Sequence, residues 1–426
     1  MAPPAPVVPP NALVGTIIGH ADGYGFVKLD QGGDDIFLTE DAMRAVLHGD
    51  RVAVQTTGTT RDGKTTGEIV SILQRANHRV VGKLRSKDGV WFLVASERRI
   101  NQDIVIPRNK LSTATVNQIV VVEITRQPTP YDDATGEVVE VIGDEDSSDI
   151  ELEIAIRKHN LPYVFSQATL KEAAAYGDKV TAADRKGRVD LREMALVTID
   201  GETAKDFDDA VYAEKSGRGY RLVVAIADVS HYVKLNMALD ADARERTTSV
   251  YFPRRVIPML PEKLSNGLCS LNPEVERLVL VCDMVITGTG EIKAYQFYEA
   301  VMFSAARLTY DEVWGILSGR DAQAIRRRAP LVTQLQHLHD LYRIFYKARE
   351  QRGAVEFETV ETKIVCNTVG RIEKIVALVR NDAHKLIEEC MLAANVCSAD
   401  FMKRSKHAGL FRVHEGPTPD RLANLR

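Results

Sequence analysis

Four aspartates, Asp200, Asp206, Asp208 and Asp209, fall within the stretch Val197-Thr-Ile-Asp-Gly-Glu-Thr-Ala-Lys-Asp-Phe-Asp-Asp-Ala210. At ~4 Å each like-charged pair costs on the order of 4 kcal/mol at an effective dielectric near 20. A folded loop of this composition therefore needs a cation to offset the repulsion. Hard divalent cations take oxygen ligands, and Mg²⁺ keeps coordination positions for water and substrate phosphates. The simpler alternative is a solvated acidic turn on the surface. An EF-hand is excluded, because apolar residues follow Asp209 and no glutamate stands at the twelfth position.

The flanking pattern says what must position these side chains. An apolar run ends at Asp200, and Ala210-Val-Tyr212, a Gly217-Arg-Gly219 turn and Leu222-Val-Val-Ala-Ile-Ala227 follow the loop. That reads as strand, acidic loop, strand, hairpin, strand. In extended backbone Asp206 and Asp208 face one way and Asp209 the other, so convergence requires a bend. Gly201 is the residue that would permit a sharp turn. Two amphipathic helices are expected later: one through Leu331, Leu335, Leu338, Tyr342 and Phe345, stopping near Gly353, and one through Ala383, Leu386, Ile387, Cys390, Met391, Ala394 and Cys397. The second places Glu388 near its buried stripe. His384 and His231 are read as structural.

Upstream, the chain reads as two small all-β units. The first runs from Leu13 through Gly23-Tyr-Gly-Phe-Val27 and Asp35-Ile-Phe-Leu38 to Gly49-Asp-Arg-Val-Ala-Val54. Short alternating strands between Gly and Asp turns suggest a five-stranded barrel. Val80-Val-Gly-Lys-Leu84 and Val90-Trp-Phe-Leu-Val94 open the second, which closes with Gln118–Ile124 and Thr135–Val141. Gly23-Tyr-Gly-Phe-Val27 and Asp35-Ile-Phe-Leu38 resemble the aromatic strands of cold-shock domains, which implies that Tyr24, Phe26 and Phe37 stack on bases; pattern alone allows barrel core equally, with Tyr24 favoured as the exposed ring. Short helices are expected over Asp149 to Leu161 and Gln167 to Tyr176.

Composition is that of a soluble globular chain: 426 residues, 45% hydrophobic, 27% charged, net charge −4. No run approaches the ~18 apolar residues of a membrane span. The proline-rich first ten residues read as a disordered lead-in and not as a targeting peptide. Five cysteines without C-x-x-C spacing point to a reducing compartment and argue against a cysteine zinc site. The acidic balance argues against a uniformly basic nucleic-acid surface, but it allows a local basic channel.

Asp200-Gly-Glu-Thr-Ala-Lys-Asp-Phe-Asp-Asp-Ala210 resembles the active-site signature of the ribonuclease II/R exoribonucleases, the RNB family. The resemblance continues, in the family's order, through Ile226–Val233, Ser249-Val-Tyr-Phe-Pro253, Pro258–Pro273, Asn381–Asn395 and Phe411-Arg-Val-His-Glu415. It implies a multidomain fold: a lead at 1–10, cold-shock-like OB-type barrels at 11–76 and 77–145, linker helices at 146–195, and an α+β RNB catalytic domain at 196–426. It also implies processive 3′→5′ hydrolysis of single-stranded RNA from a free 3′ end, releasing nucleoside 5′-monophosphates. Two Mg²⁺ ions, or Mn²⁺ in their place, would be held by Asp200, Asp206 and Asp209, with Asp208 beside the scissile phosphate. Tyr251 and Phe357 would clamp the last bases, and Tyr310 and Glu388, or its neighbour Glu389, would read the terminal ribose. Tyr24, Phe26 and Phe37 would bind RNA on the first barrel.

The expected setting is cytoplasmic and monomeric, with no membrane. Family members continue past the point matching Arg426 with a segment whose arginine contacts the reacting phosphate, and then with an OB-type domain. The expectation is therefore a chain incomplete within its RNB domain and weakly active or inactive as it stands. Two rivals remain: a catalytically impaired RNA-binding protein with tandem cold-shock domains, and a Mg²⁺ phosphohydrolase of small substrates.

Overall fold

In the first strands every second residue is apolar and faces inward. The computed structural model describes residues 8–147, 149–355, 360–368 and 370–425. Strands β1 (Leu13–Gly19), β2 (Gly25–Leu29), β3 (Ile36–Leu38), β4 (Arg51–Thr59) and β5 (Thr65–Gln74) form a closed barrel in the order β1-β2-β3-β5-β4, with a one-turn helix α1 (Glu40–Met43) after β3. Ile17, Val27, Ile36, Leu38, Val52 and Val54 fill it. Strands β6 (Arg79–Lys87), β7 (Val90–Ala95), β8 (Ile104–Ile106), β9 (Gln118–Arg126) and β10 (Thr135–Asp144) close a second barrel with the same connectivity around Leu84, Leu93, Ile104, Val120 and Val122. Two OB-type barrels thus precede the rest of the chain.

The joint between the barrels is polar and buried. The fully buried Asp50 carboxylate accepts from the Leu47 and Ala76 amides at 3.1 and 2.8 Å and from Arg75 at 2.9 Å. Arg75 also donates to the carbonyls of Ala45 and Pro128. Leu47 lies in the core of the second barrel. Removing one partner of such a network strands the other, at a cost of about 3–5 kcal/mol. Asp50→Ala is therefore expected to lower the thermal midpoint of the barrel pair by many degrees, as calorimetry would record, and Arg75→Ala, which leaves the fully buried carboxylate without its cation, is expected to lower it as well.

Helix α2 (Ile150–Lys158) lays Ile150 against Val81, Ile119 and Val121 of the second barrel. Met1–Val164, with Phe252–Arg255 and Val365–Lys374, forms one compact unit, and Phe165–Tyr251, Val256–Ile364 and Ile375–Arg426 form the other.

The second unit begins with α3 (Gln167–Ala175) and is built on a seven-stranded mixed sheet. Its strands are β11 (Val189–Leu191), β12 (Val197–Asp200), β13 (Asp209–Ser216), β14 (Gly219–Ala227), then, after α4 (Val229–Tyr232), α5 (Ala238–Arg246) and the small hairpin β15 (Val250–Tyr251) and β16 (Val256–Ile257), β17 (Glu276–Ile286), β18 (Ile292–Phe303) and β19 (Ala306–Thr309). The sheet order is β11-β18-β17-β14-β13-β12-β19. Its central strand β14 shows why its sequence is continuously apolar: Leu222 and Val224 face one core, Val223, Ala225 and Ala227 the other.

The first core is roofed by α6 (Tyr310–Leu317), α7 (Ala322–Arg327), α8 (Val332–Gln351) and, beyond the hairpin β20 (Thr362–Cys366) and β21 (Ile372–Ala377), α9 (Asp382–Arg404). A short α10 (Pro419–Leu425) follows. The opposite core packs α3, α5 and the segment around Leu264, Leu268 and Leu271. Gly353, with φ near +87°, follows the end of α8. No helix among the described residues is long and apolar enough to cross a membrane.

Candidate active site

Two neighbouring strands and a third beside them bring the acidic residues together. Asp200 is the last residue of β12 and Asp209 the first of β13, so the loop 201–208 joins adjacent ends of one sheet edge. Parallel pairing of β12 with β19 sets Asp200 opposite Thr309, and Tyr310 follows at the start of α6. Thr309 caps that helix through the Glu312 amide at 3.1 Å. Asp200, Asp209 and Tyr310 thus reach the same edge because three strands end there.

The electrostatics record the crowding. Burial, then the charges of Asp200 and Asp208, push the Asp209 carboxyl up to about 6. Burial also raises Asp208, helped by Asp206 and Asp200. Asp200 is raised by burial first and by Asp206 next, against the opposing pull of the Gly201 amide and of Arg307. Tyr310 is pushed up to about 12 by burial and by the charges of Asp200 and Asp209. Among the described residues, the buried Oδ2 of Asp209 has no hydrogen-bond donor and the buried Thr198 hydroxyl, one strand away, has no partner. An uncompensated buried carboxylate oxygen among other carboxylates suits a hard cation, and the donor set, all oxygen, fits Mg²⁺. Among the described residues, however, no three acidic, histidine or cysteine side chains are gathered closely enough to hold an ion as they stand.

The bend does not come from Gly201. That residue lacks a left-handed backbone and has room for a Cβ. The turn is held from outside: Asp200 Oδ1 accepts from the Gly201 amide at 2.6 Å, and Arg307 on β19 donates to the carbonyls of Glu202 and Ala204. Phe207, between Asp206 and Asp208, is buried in the second core under the Arg307 guanidinium. The alternation Asp206, Phe207, Asp208 is therefore an outward, inward, outward pattern anchored by one ring. A phenylalanine inside an acidic run was the signal for that anchor. Arg307, a charge between apolar strand residues, was the signal for the clamp.

Tyr251, on β15, is 63% exposed and donates its hydroxyl to Asp206 Oδ2 at 2.6 Å. That bond, with burial, pushes the phenol up to about 12. Phe357 lies outside the described residues. Glu388 faces solvent on α9 and pairs with Arg380, so it does not sit on the buried stripe; Glu389, 6% exposed, does, and it pairs with Arg349 at 3.2 Å. The stripe turns by 100° per residue, which is enough to exchange two adjacent glutamates. His384 completes a capping box with Asn381 and stacks on Tyr310, with ring centroids 4.0 Å apart. His231 bridges Asp184 and Arg188.

On the first barrel, Tyr24, Phe26 and Phe37 lie outside the closed core, half-buried, while Gly25, Val27, Ile36 and Leu38 between them are buried. Their rings are 5.7–5.9 Å apart; His20 stacks on Tyr24 at 4.3 Å and Lys64 sits 5.5 Å from the Phe26 centroid. An outward aromatic strip with a cation beside it is the arrangement on which single-stranded bases stack.

Comparison with known proteins agrees with this architecture. The RNB domain family matches residues 188–426, the cold shock domain family residues 92–166, and the ribonuclease B OB domain family residues 15–72. Ribonuclease R of Escherichia coli K12 is 48% identical over 417 residues, which is 98% of this chain and 51% of the relative. Ribonuclease R of Acidithiobacillus ferrooxidans is 45% identical over 345 residues, covering 80% of this chain and 78% of the relative. Among solved structures, Mycoplasma genitalium RNase R, apo and in complex with ribose-methylated single-stranded RNA, superposes with a TM-score of 0.89 at 28% identity, over 97% of this chain and 65% of that one. The chain spans about half the length of Ribonuclease R of Escherichia coli K12 and of the similar curated relatives from Shigella and Vibrio.

Proposed function

This chain belongs to the RNB family, and from that premise we propose that it supplies the acidic catalytic centre of a processive 3′→5′ exoribonuclease acting on single-stranded RNA in the cytoplasm. The observation that carries the reading is the convergence of Asp200, Asp208 and Asp209 at one sheet edge, with a buried Asp209 oxygen that has no donor among the described residues. Asp200, Asp206 and Asp209 would hold the metal; a pair of Mg²⁺ ions, when bound, activates the attacking water and stabilises the leaving 3′ oxygen. Asp208 would sit beside the scissile phosphate and matter most for the chemical step. Tyr251 would stack on a base next to that centre, and Tyr310 would meet the terminal ribose. The five free cysteines favour a reducing compartment. Incubation with Mg²⁺ and 5′-labelled single-stranded RNA tests the reading: slow stepwise shortening with release of nucleoside 5′-monophosphates, abolished by chelation, is expected. Internal cleavage, or release of 3′-phosphates, contradicts it.

A base stacked on an aromatic ring contributes roughly 1–3 kcal/mol. Tyr251→Ala should therefore weaken binding of a single-stranded oligonucleotide by about 5- to 150-fold in fluorescence anisotropy. Tyr251→Phe, which loses only the hydroxyl bond to Asp206, should bind as the parent does.

A second reading is an RNA-binding protein without turnover. It is favoured by the lack, among the described residues, of three groups already arranged around an ion.

A further inference from the structure

The acidic loop has almost no secondary structure of its own, yet one hydroxyl brackets one of its aspartates. Ser270, fully buried, donates from Oγ to the Lys205 carbonyl at 2.8 Å and accepts on the same oxygen from the Phe207 amide at 3.0 Å. These two groups flank Asp206 on either side, so the hydroxyl spans that residue's φ and ψ. The next amide, Leu271, donates to the Phe207 carbonyl at 2.8 Å, and the buried Arg277 holds the Ser270 carbonyl through Nε at 2.7 Å. Asp208 is held separately, its carbonyl accepting from the Ala227 amide at 2.9 Å.

We propose that Ser270 is a positioning residue: its hydroxyl sets the backbone of Asp206, and through it the place at which the Asp206 carboxylate meets the other carboxylates. The proposal deepens the metal-centre reading and rests on it for its consequence, but not for its geometry. Ser270 touches neither substrate nor metal; it acts through the loop. The Phe207 amide is buried, and among the described residues neither it nor the Lys205 carbonyl has another hydrogen-bond partner within the loop.

The test uses the whole chain and two readouts. Hydrogen exchange by mass spectrometry on the peptide covering 201–208 reads the loop, and electron paramagnetic resonance of free Mn²⁺ reads affinity. Ser270→Ala is expected to speed exchange at the Phe207 amide at least tenfold while the β14 amides stay protected. It should also weaken Mn²⁺ binding by about 10-fold, as loss of an orienting partner does at metal sites. Because the site is tight, Ser270→Thr and Ser270→Val form a second pair of equal shape that differ in the hydroxyl; Thr should hold the loop and the metal better than Val. Unchanged exchange in Ser270→Ala overturns the proposal, and so does a loosened loop with unchanged Mn²⁺ affinity. If the unaltered chain binds no Mn²⁺, the metal reading falls, and exchange alone decides whether the hydroxyl sets Asp206.

Discussion

Asp208→Asn is expected to lower Mg²⁺-dependent RNA turnover by roughly 10²–10³-fold, the loss typical when one preorganised electrostatic group at a reacting centre is removed. RNA affinity should stay within about twofold. The substitution is nearly isosteric, and the Asp208 backbone is fixed by the Ala227 amide, so the loop should keep its path. The side chain keeps access to solvent yet is partly desolvated by the loop, and it feels the charges of Asp206 and Asp200. Gel-resolved digestion and anisotropy on the same preparation separate three outcomes. Turnover lost with affinity kept supports the nuclease. Binding with no turnover in either protein supports the RNA-binding rival. Equal turnover in both removes Asp208 from the chemistry.

The second large effect concerns Asp209 and pH. Its carboxyl is raised to about 6 in the folded chain, from an ordinary value of 3.8, chiefly by burial. The folded state therefore binds this proton more tightly than the unfolded state does. Between about pH 4 and pH 6 the folded form carries the extra proton, so metal-free stability falls as pH rises through that window. The contribution is fully present below pH 4 and lost above pH 6, and it amounts to about 3 kcal/mol. A bound divalent cation reverses the sign, because it takes the ionised carboxylate. Thermal melts should thus show the metal-free protein losing several degrees from pH 4.5 to 7, relative to Asp209→Asn, and Mg²⁺ restoring them at pH 7 only in the unaltered chain. A difference between the two proteins that is flat with pH would remove Asp209 from the charged cluster.

Much of this architecture is legible in local pattern. Alternation with Gly and Asp turns is enough to suggest two barrels, and the apolar runs on both sides of Asp200 to Ala210 are enough to place the acidic loop between strands. Other features depend on partners distant in sequence. The bend at Gly201 illustrates this: its cause is Arg307, 106 residues away on a strand paired in parallel with β12, and composition near the loop cannot reveal it. Glu388 and Glu389 differ by one helical position, a distinction set by how α9 rotates against Arg349 of α8 and not by the period of its stripe. Tyr24, Phe26 and Phe37 alternate with core residues, so pattern alone leaves their direction open until the barrel's closure fixes it. The histidine at 384 is legible as structural, but its stacking on Tyr310 follows only from the meeting of α6 and α9.

Crystals soaked in Mn²⁺ and measured at the manganese absorption edge test whether the acidic sheet edge is a divalent metal centre. Anomalous density is expected between Asp200, Asp206 and Asp209, with Tyr251 released from Asp206. Carboxylates turned into bulk solvent with no ion between them would contradict that assignment.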